Sequence, residues 1–281
     1  MRLASDGHVH SEWSWDATNG SMVRSCARAR DLGLPAIAFT EHVDHTVWAV
    51  DIDELDVDDP LMRLSDADGR VTPPALDVTG YLASIERCRE LFPDLRIASG
   101  LELGEPHWHA DAVSRVLAAG DFDRVLGSLH CLPDSDGFRE PPGLFDHRNP
   151  DEVVRSYLAE VARLVEQSDA FSVLAHIDYP VRSWPSRRFG PFDAVTFEEE
   201  FRHCLGVLAE SGRALEINTV LPLDVTIVRW WRGAGGDAVT FGSDAHQPDE
   251  VAQSFADAVA MAETCGFRPG GNPFGPWPRT S

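Results

Sequence analysis

The 281-residue chain contains no lysine; its 24 basic residues are all arginine. This removes Schiff-base lysines, the lysine of nucleotide-binding P-loops and carbamylated-lysine metal bridges. Arginine is left to recognise phosphate, a role its planar fork suits. Positive charge is scarce too. Asp and Glu number 46 and the net charge is −22, which argues against a long nucleic-acid footprint. A small anionic substrate remains admissible, because bound metal ions can dominate a local field. No apolar run approaches the roughly 20 residues needed to span a bilayer. No basic stretch followed by an apolar one opens the chain. A cytoplasmic protein without a membrane partner is expected. Cys26, Cys88, Cys131, Cys204 and Cys265 are scattered with no Cys-x-x-Cys pair, so buried reduced thiols are expected, not a zinc finger or disulfide framework.

What is present reads as globular: 43% hydrophobic and 25% charged residues. The length suits one α/β barrel of about 250 residues. Short apolar runs read as strands at 1–4, 35–39, 96–103, 124–130, 171–174, 214–218 and 238–242. Segments of helical spacing lie between most of them, at 21–30, 79–91, 110–118, 150 onward, 197–211 and 223–231, with a closing helix at 249–265. Alternation of this kind predicts a parallel sheet with right-handed crossovers. Residues 43–78 are acidic, Pro-rich and aperiodic, and read as an excursion over one rim. The charge run Asp51 to Asp59 reads as a solvated face; it lacks the ligand spacing and glycine of a calcium loop. The tail from Gly266 reads as irregular.

The strand exits carry the chemistry. On an extended backbone residues two apart share a face, so His8 and His10 project together. His42, Glu102, His130, His176, Asp244 and His246 lie at the ends of later runs. In a parallel barrel these ends open on one side, and the residues converge. Left unpaired, so many partly buried polar groups would carry a heavy desolvation cost, which metal coordination offsets. Imidazole and carboxylate without thiolate suit zinc, manganese or iron, and the set exceeds one ion's needs. Two or three divalent ions are expected, with Glu102 or Asp244 available to bridge. Such clusters suit in-line displacement at phosphorus.

His8-Val9-His10, Phe39-Thr40-Glu41-His42, Gly100-Leu101-Glu102, Gly127-Ser128-Leu129-His130, Ala175-His176-Ile177-Asp178, Glu216-Ile217-Asn218-Thr219 and Gly242-Ser243-Asp244-Ala245-His246 resemble the motifs of the PHP (polymerase and histidinol phosphatase) superfamily. Their order and spacing match over nearly the whole chain, and the length is most similar to the stand-alone histidinol-phosphatase branch. The resemblance implies a single-domain, distorted (β/α)7, TIM-like barrel spanning residues 1–281. It also implies a trinuclear centre: His8 and His10 with Asp244 on one ion, Glu102 bridging, His130 and His176 on a second, and Asp16, His42 and His246 on a third. Read without the family, Asp16 would be a helix cap. The implied reaction is phosphomonoester hydrolysis by a metal-bridging hydroxide, with histidinol phosphate the expected substrate and Asp244 or His42 candidates to protonate the leaving alkoxide.

Arg182 is the candidate phosphate ligand, with Arg139, Arg187 and Arg188 as competitors, and Asn218 is a second candidate substrate or ligand-orienting contact. Glu105, His107 and His109 read as rim residues. Trp13, Trp15, Trp48, Trp108 and Trp184 read as packing under loops, with stacking on a planar substrate the alternative. Choice of leaving group is assigned to the 43–78 and 133–149 loops. Competing readings are a phosphoesterase acting on another small phosphomonoester, a nucleotide or a diester; a zinc amidohydrolase; and a non-catalytic metal-holding module. The oligomeric state is left open.

Overall fold

The computed structural model describes residues 3–55, 59–135 and 137–280. The chain starts with β1 (Asp6–Val9), α1 (Met22–Leu32), β2 (Ala36–Val43) and β3 (Trp48–Ala49), then α2 (Pro60–Leu64), β4 (Arg70–Val71), α3 (Val78–Leu91) and β5 (Arg96–Gly104). It continues through α4 (Ala110–Leu117), β6 (Arg124–Ser128), β7 (Leu132–Asp134), β8 (Gly137–Arg139), α5 (Pro141–Phe145), α6 (Pro150–Gln167) and β9 (Val173–Leu174). It ends with α7 (Ser186–Phe189), α8 (Glu198–Glu210), β10 (Ala214–Asn218), α9 (Val225–Gly233), β11 (Ala238–Gly242), α10 (Phe255–Thr264) and β12 (Trp277–Pro278).

The main sheet runs in the order β1-β2-β5-β6-β9-β10-β11-β12. Its first seven strands are parallel and β12 is antiparallel to β11. The sheet curls until its edges meet. The Asp244 N–H donates to the His8 carbonyl at 2.8 Å and the His10 N–H to the Ala245 carbonyl at 2.9 Å. Thus β1 closes on the exit of β11, while β12 pairs at Ala238 and Val239, the start of that strand. Two closers share one seam, and the barrel is distorted there.

Strand and helix formation follow local chemistry. All eight residues of β2 are buried, as a strand covered on both faces requires. Ser21 caps α1 by accepting from the Arg24 N–H, and Gly33 ends it at φ 72°, where a side chain would be strained. For α6, Asn149 accepts from the Asp151 N–H, Pro150 opens the first turn, and Asp151 and Glu152 face the positive end of the helix dipole. Outside the barrel, α6 and α8 pack together. Val161, Leu164, Phe201 and Leu208 belong to the large apolar cluster between these helices and the sheet.

Several boundaries differ from expectation. The first strand begins at Asp6, so His8 lies within it; residues 1 and 2 of the expected strand lie outside the described residues. The 43–78 excursion contains a β3–β4 hairpin and α2. Asp51 and Asp53 of the charge run are exposed, and residues 56–58 of that run lie outside the described residues. The 133–149 loop includes a β7–β8 hairpin and α5. The closing helix is interrupted: Ala252 and Ser254 both take φ 56°, and α10 starts only at Phe255. Asp6 accepts the Ala252 N–H at 2.9 Å, a contact across the seam that overrides helical periodicity. The tail is not wholly irregular, because β12 pairs with β11; Ser281 lies outside the described residues. All five cysteines are free and buried, as expected.

Candidate metal centre

The parallel sheet delivers each polar residue to one mouth. His8 and His10 come from β1 and its exit, and Asp16 from the following loop. His42 and Glu102 are register partners on β2 and β5. His130 follows β6, His176 follows β9, and Asp244 and His246 follow β11. Asp244 takes φ 52°, a left-handed conformation uncommon for a side-chain-bearing residue. Its N–H bond to His8 holds that turn and directs the carboxylate inward.

The donor atoms form overlapping groups, among them His10, His42 and His246, and His42, Asp44 and His130. His8 Nε2 and His10 Nε2 are 3.1 Å apart, and Asp244 Oδ1 lies 3.5 and 3.2 Å from them. Glu102 Oε2 is 3.2 Å from His8 Nε2 and 3.3 Å from His10 Nε2. The other oxygen, Oε1, lies 3.3 Å from His130 Nε2 and 2.7 Å from His176 Nε2. Glu102 is therefore shared between two imidazole groups. Asp16 Oδ2 stands 3.3 Å from His42 Nε2 and 3.0 Å from His246 Nε2. A zinc–ligand bond of about 2.0–2.1 Å puts tetrahedral donors about 3.3 Å apart. The spacings here have that size, and His8, His10, Glu102 and Asp244 are all buried.

The buried field also fits cations. Burial pulls His42 down, but Asp16, Asp44 and Glu102 outweigh it and hold the imidazole up to about 10. Burial pushes the Glu102 carboxyl up, while His8, His42 and His130 hold it well below its ordinary range. Asp244 is likewise lowered by His8 and Arg182 against the effect of burial. Burial lowers His176, leaving a neutral imidazole with a lone pair to offer. A cluster that stabilises imidazolium protons by this much carboxylate charge would stabilise divalent cations in their place. Asp16 Oδ1, His42 Nδ1 and His176 Nδ1 are buried without hydrogen-bond partners among the described residues.

An outer layer fixes the rings. Glu216 Oε2 is 2.9 Å from His8 Nδ1, Ser14 Oγ is 2.9 Å from His10 Nδ1, and the Asp244 carbonyl is 2.9 Å from His246 Nδ1. Ser14 Oγ–H donates to Glu41 Oε2 at 2.6 Å, leaving its oxygen to accept from His10. With Nδ1–H donated outward in each case, the Nε2 lone pair faces the mouth. Asp44 lies 3.5 Å from Nδ1 of both His42 and His130, and accepts the Trp15 indole N–H at 2.9 Å. Glu105 accepts the backbone N–H groups of His130 and Cys131 at 2.6 and 2.9 Å, which pins the β6 exit.

Glu41 and Glu216 stand within the quoted motifs but have no role there in the sequence reading, and Asp44 lies outside those motifs. Strand alternation was the available signal: Asp44 is two residues beyond His42, and Glu216 two before Asn218. Glu105, expected on the rim, is buried behind His130; His107 pairs with Glu160 at 2.9 Å and His109 with Thr46 at 2.9 Å. Arg182 reaches the mouth, its Nη2 donating to Asp244 Oδ2 at 2.7 Å. Of its competitors, Arg139 pairs with Asp134 at 3.2 Å, and Arg187 and Arg188 are exposed on α7. Asn218 is buried behind Asp244: its amide donates to Glu216 at 2.8 Å and to Asp244 Oδ2 at 3.4 Å. Trp15 lines the mouth, whereas Trp108 and Trp184 pack against the main core.

A sequence model described as the PHP domain matches residues 6–220. The chain belongs to the PHP domain family. Among curated relatives, the probable histidinol-phosphatase of Deinococcus radiodurans is 30% identical over 277 residues, covering 94% of each chain. The histidinol-phosphatase of Lactococcus lactis subsp. lactis is 25% identical over 274 residues, covering 93% of this chain and 91% of that one. Among solved structures, histidinol phosphate phosphatase from Lactococcus lactis, complexed with zinc, L-histidinol and phosphate, aligns over 95% of both chains with a TM-score of 0.75 and 23% identity. That structure shares the PHP fold with this chain. No helix among the described residues is long and apolar enough to cross a membrane.

Proposed function

We propose that this chain is a single-domain, metal-dependent phosphomonoester hydrolase that converts histidinol phosphate to histidinol and phosphate. The observation that carries the reading is an arginine at the edge of a shared-carboxylate donor cluster: Arg182 stands 2.7 Å from Asp244, whose other oxygen faces His8 and His10. The histidinol-phosphatase names of the full-length relatives support the substrate.

In this reading His8, His10 and Asp244 hold one ion, His130 and His176 a second, and Asp16, His42 and His246 a third, with Glu102 shared. Zinc, manganese and iron all suit this donor set. Bound there, divalent ions would lower the pKa of a water and offset charge on phosphoryl oxygens. Arg182 supplies the remaining positive charge for the phosphoryl group, its guanidinium packed 5.1 Å from the Tyr179 ring. Asp244 is the proton carrier: it is held as a carboxylate, takes a proton from the attacking water and returns it to the leaving oxygen. Asn218 positions that carboxylate from behind and does not touch substrate. His42 has Asp16 and Glu102 within 3.3 Å of its two nitrogens and is assigned to metal holding.

The test is phosphate release by zinc- or manganese-loaded protein from L-histidinol phosphate, beside a phosphodiester and an amide, with bound metal measured by ICP-MS. Hydrolysis of the monoester is expected. Turnover of the diester alone or the amide alone would overturn the reading.

A further inference from the structure

The carboxylates lining the mouth are Asp16, Glu102, Glu140 and Asp244. Three are within 4.0 Å of imidazoles; Glu140 forms no such ion pair among the described residues. It precedes α5 at the N-cap position, yet its side chain makes no cap hydrogen bond. It turns inward instead and accepts the Tyr179 hydroxyl at 3.3 Å. Beyond it opens a second cleft of about 500 Å³, and Glu140 lines both. Trp48, Leu61 and Pro142 give that cleft apolar walls; Asp51 and Asp146 line it on the acidic side, and Arg139 and His147 on the basic side. Trp48 is 4% exposed, and its indole N–H has no acceptor among the described residues.

Once ionised, a carboxylate between a phosphate site and its outer cleft would repel an anionic substrate at short range. That cost is offset if the substrate itself carries a cation at this position. We propose that Glu140 is a specificity-determining residue: it binds the primary ammonium of the leaving group, whose remainder lies against Trp48 in the outer cleft. The inference rests on the phosphatase reading and names the side chain that selects its amino-alcohol leaving group. Burial holds the empty Glu140 carboxyl up to about 7, so a cation bound there would restore its charge.

Two measurements on zinc-loaded protein separate this inference from the reading beneath it. The first is the ratio of kcat/KM for L-histidinol phosphate to that for p-nitrophenyl phosphate, which has no ammonium. Glu140→Gln should lower that ratio on the order of 10–100-fold, mainly through KM for the amino substrate. Equal losses on both substrates would mark a structural role and overturn the assignment. The second is titration calorimetry with L-histidinol alone, which requires no turnover. Glu140→Gln should weaken this affinity by about tenfold or more. Unchanged affinity sinks the assignment of Glu140 whatever the hydrolysis assay gives. Absence of phosphate release by the parent protein, with L-histidinol still bound through Glu140, would instead count against the phosphatase reading.

Discussion

Glu216 Oε2 and His8 Nδ1 lie 2.9 Å apart with both side chains buried. Burial raises the Glu216 carboxyl, but His8 outweighs it and keeps it ionised. An ionised carboxylate only accepts, so His8 must donate from Nδ1; a cation displacing the other proton would then meet the Nε2 lone pair at the mouth. Glu216 therefore sets the tautomer of a candidate ligand without touching an ion. Glu216→Gln should lower zinc affinity by about 10–100-fold while circular dichroism stays unchanged. Competition with a fluorescent chelator measures it, and wild-type affinity would contradict the role.

Gly242 lies beneath the same pair. A Cβ built there would stand 2.5 Å from Glu216 Oε2 and 2.6 Å from His8 Cβ. Neither neighbour can retreat far in a packed barrel. Gly242→Ala should cost about 1–3 kcal/mol of stability and reduce bound metal. Thermal unfolding with and without zinc reads both effects.

His176 has Glu102 at 2.7 Å on Nε2 and, among the described residues, no hydrogen-bond partner on Nδ1. His176→Ala should lose metal and activity with the fold retained by circular dichroism. In the parent protein, a chelator should abolish activity and added zinc or manganese restore it. Full activity in His176→Ala would remove it from the centre.

Arg182 lines the mouth and donates to Asp244 Oδ2 at 2.7 Å. Arg182→Ala should lower kcat/KM on the order of 10–100-fold and weaken inhibition by inorganic phosphate. Arg182→Lys should recover only part of the loss, because a point charge lacks the planar fork. Equal behaviour of the lysine variant and the parent would argue against a two-pronged contact.

The parallel alternation and the ligand-bearing strand exits were legible because buried parallel strands are short apolar runs and exits are where polarity returns. β10 and β11 have the boundaries their sequences suggest. Asp16 was legible only through family likeness, since a loop Asp before a helix reads as a cap. Glu216 and Asp44 were hidden by their neighbours: one lay inside an apolar run, the other opened an acidic excursion. The break at Ala252 was invisible because Asp6, more than two hundred residues earlier, imposes it. Glu140 has no sequence signal; its position depends on α5 folding back over the mouth.

The seam has a consequence for handling the protein. If Trp277 and Pro278 were removed, the beginning of β11 would lose its antiparallel neighbour and present bare amide and carbonyl groups along a sheet margin. Such margins recruit other chains. A trimmed protein should remain able to assemble its mouth, since β1 fastens the opposite end, yet self-associate through the uncovered base.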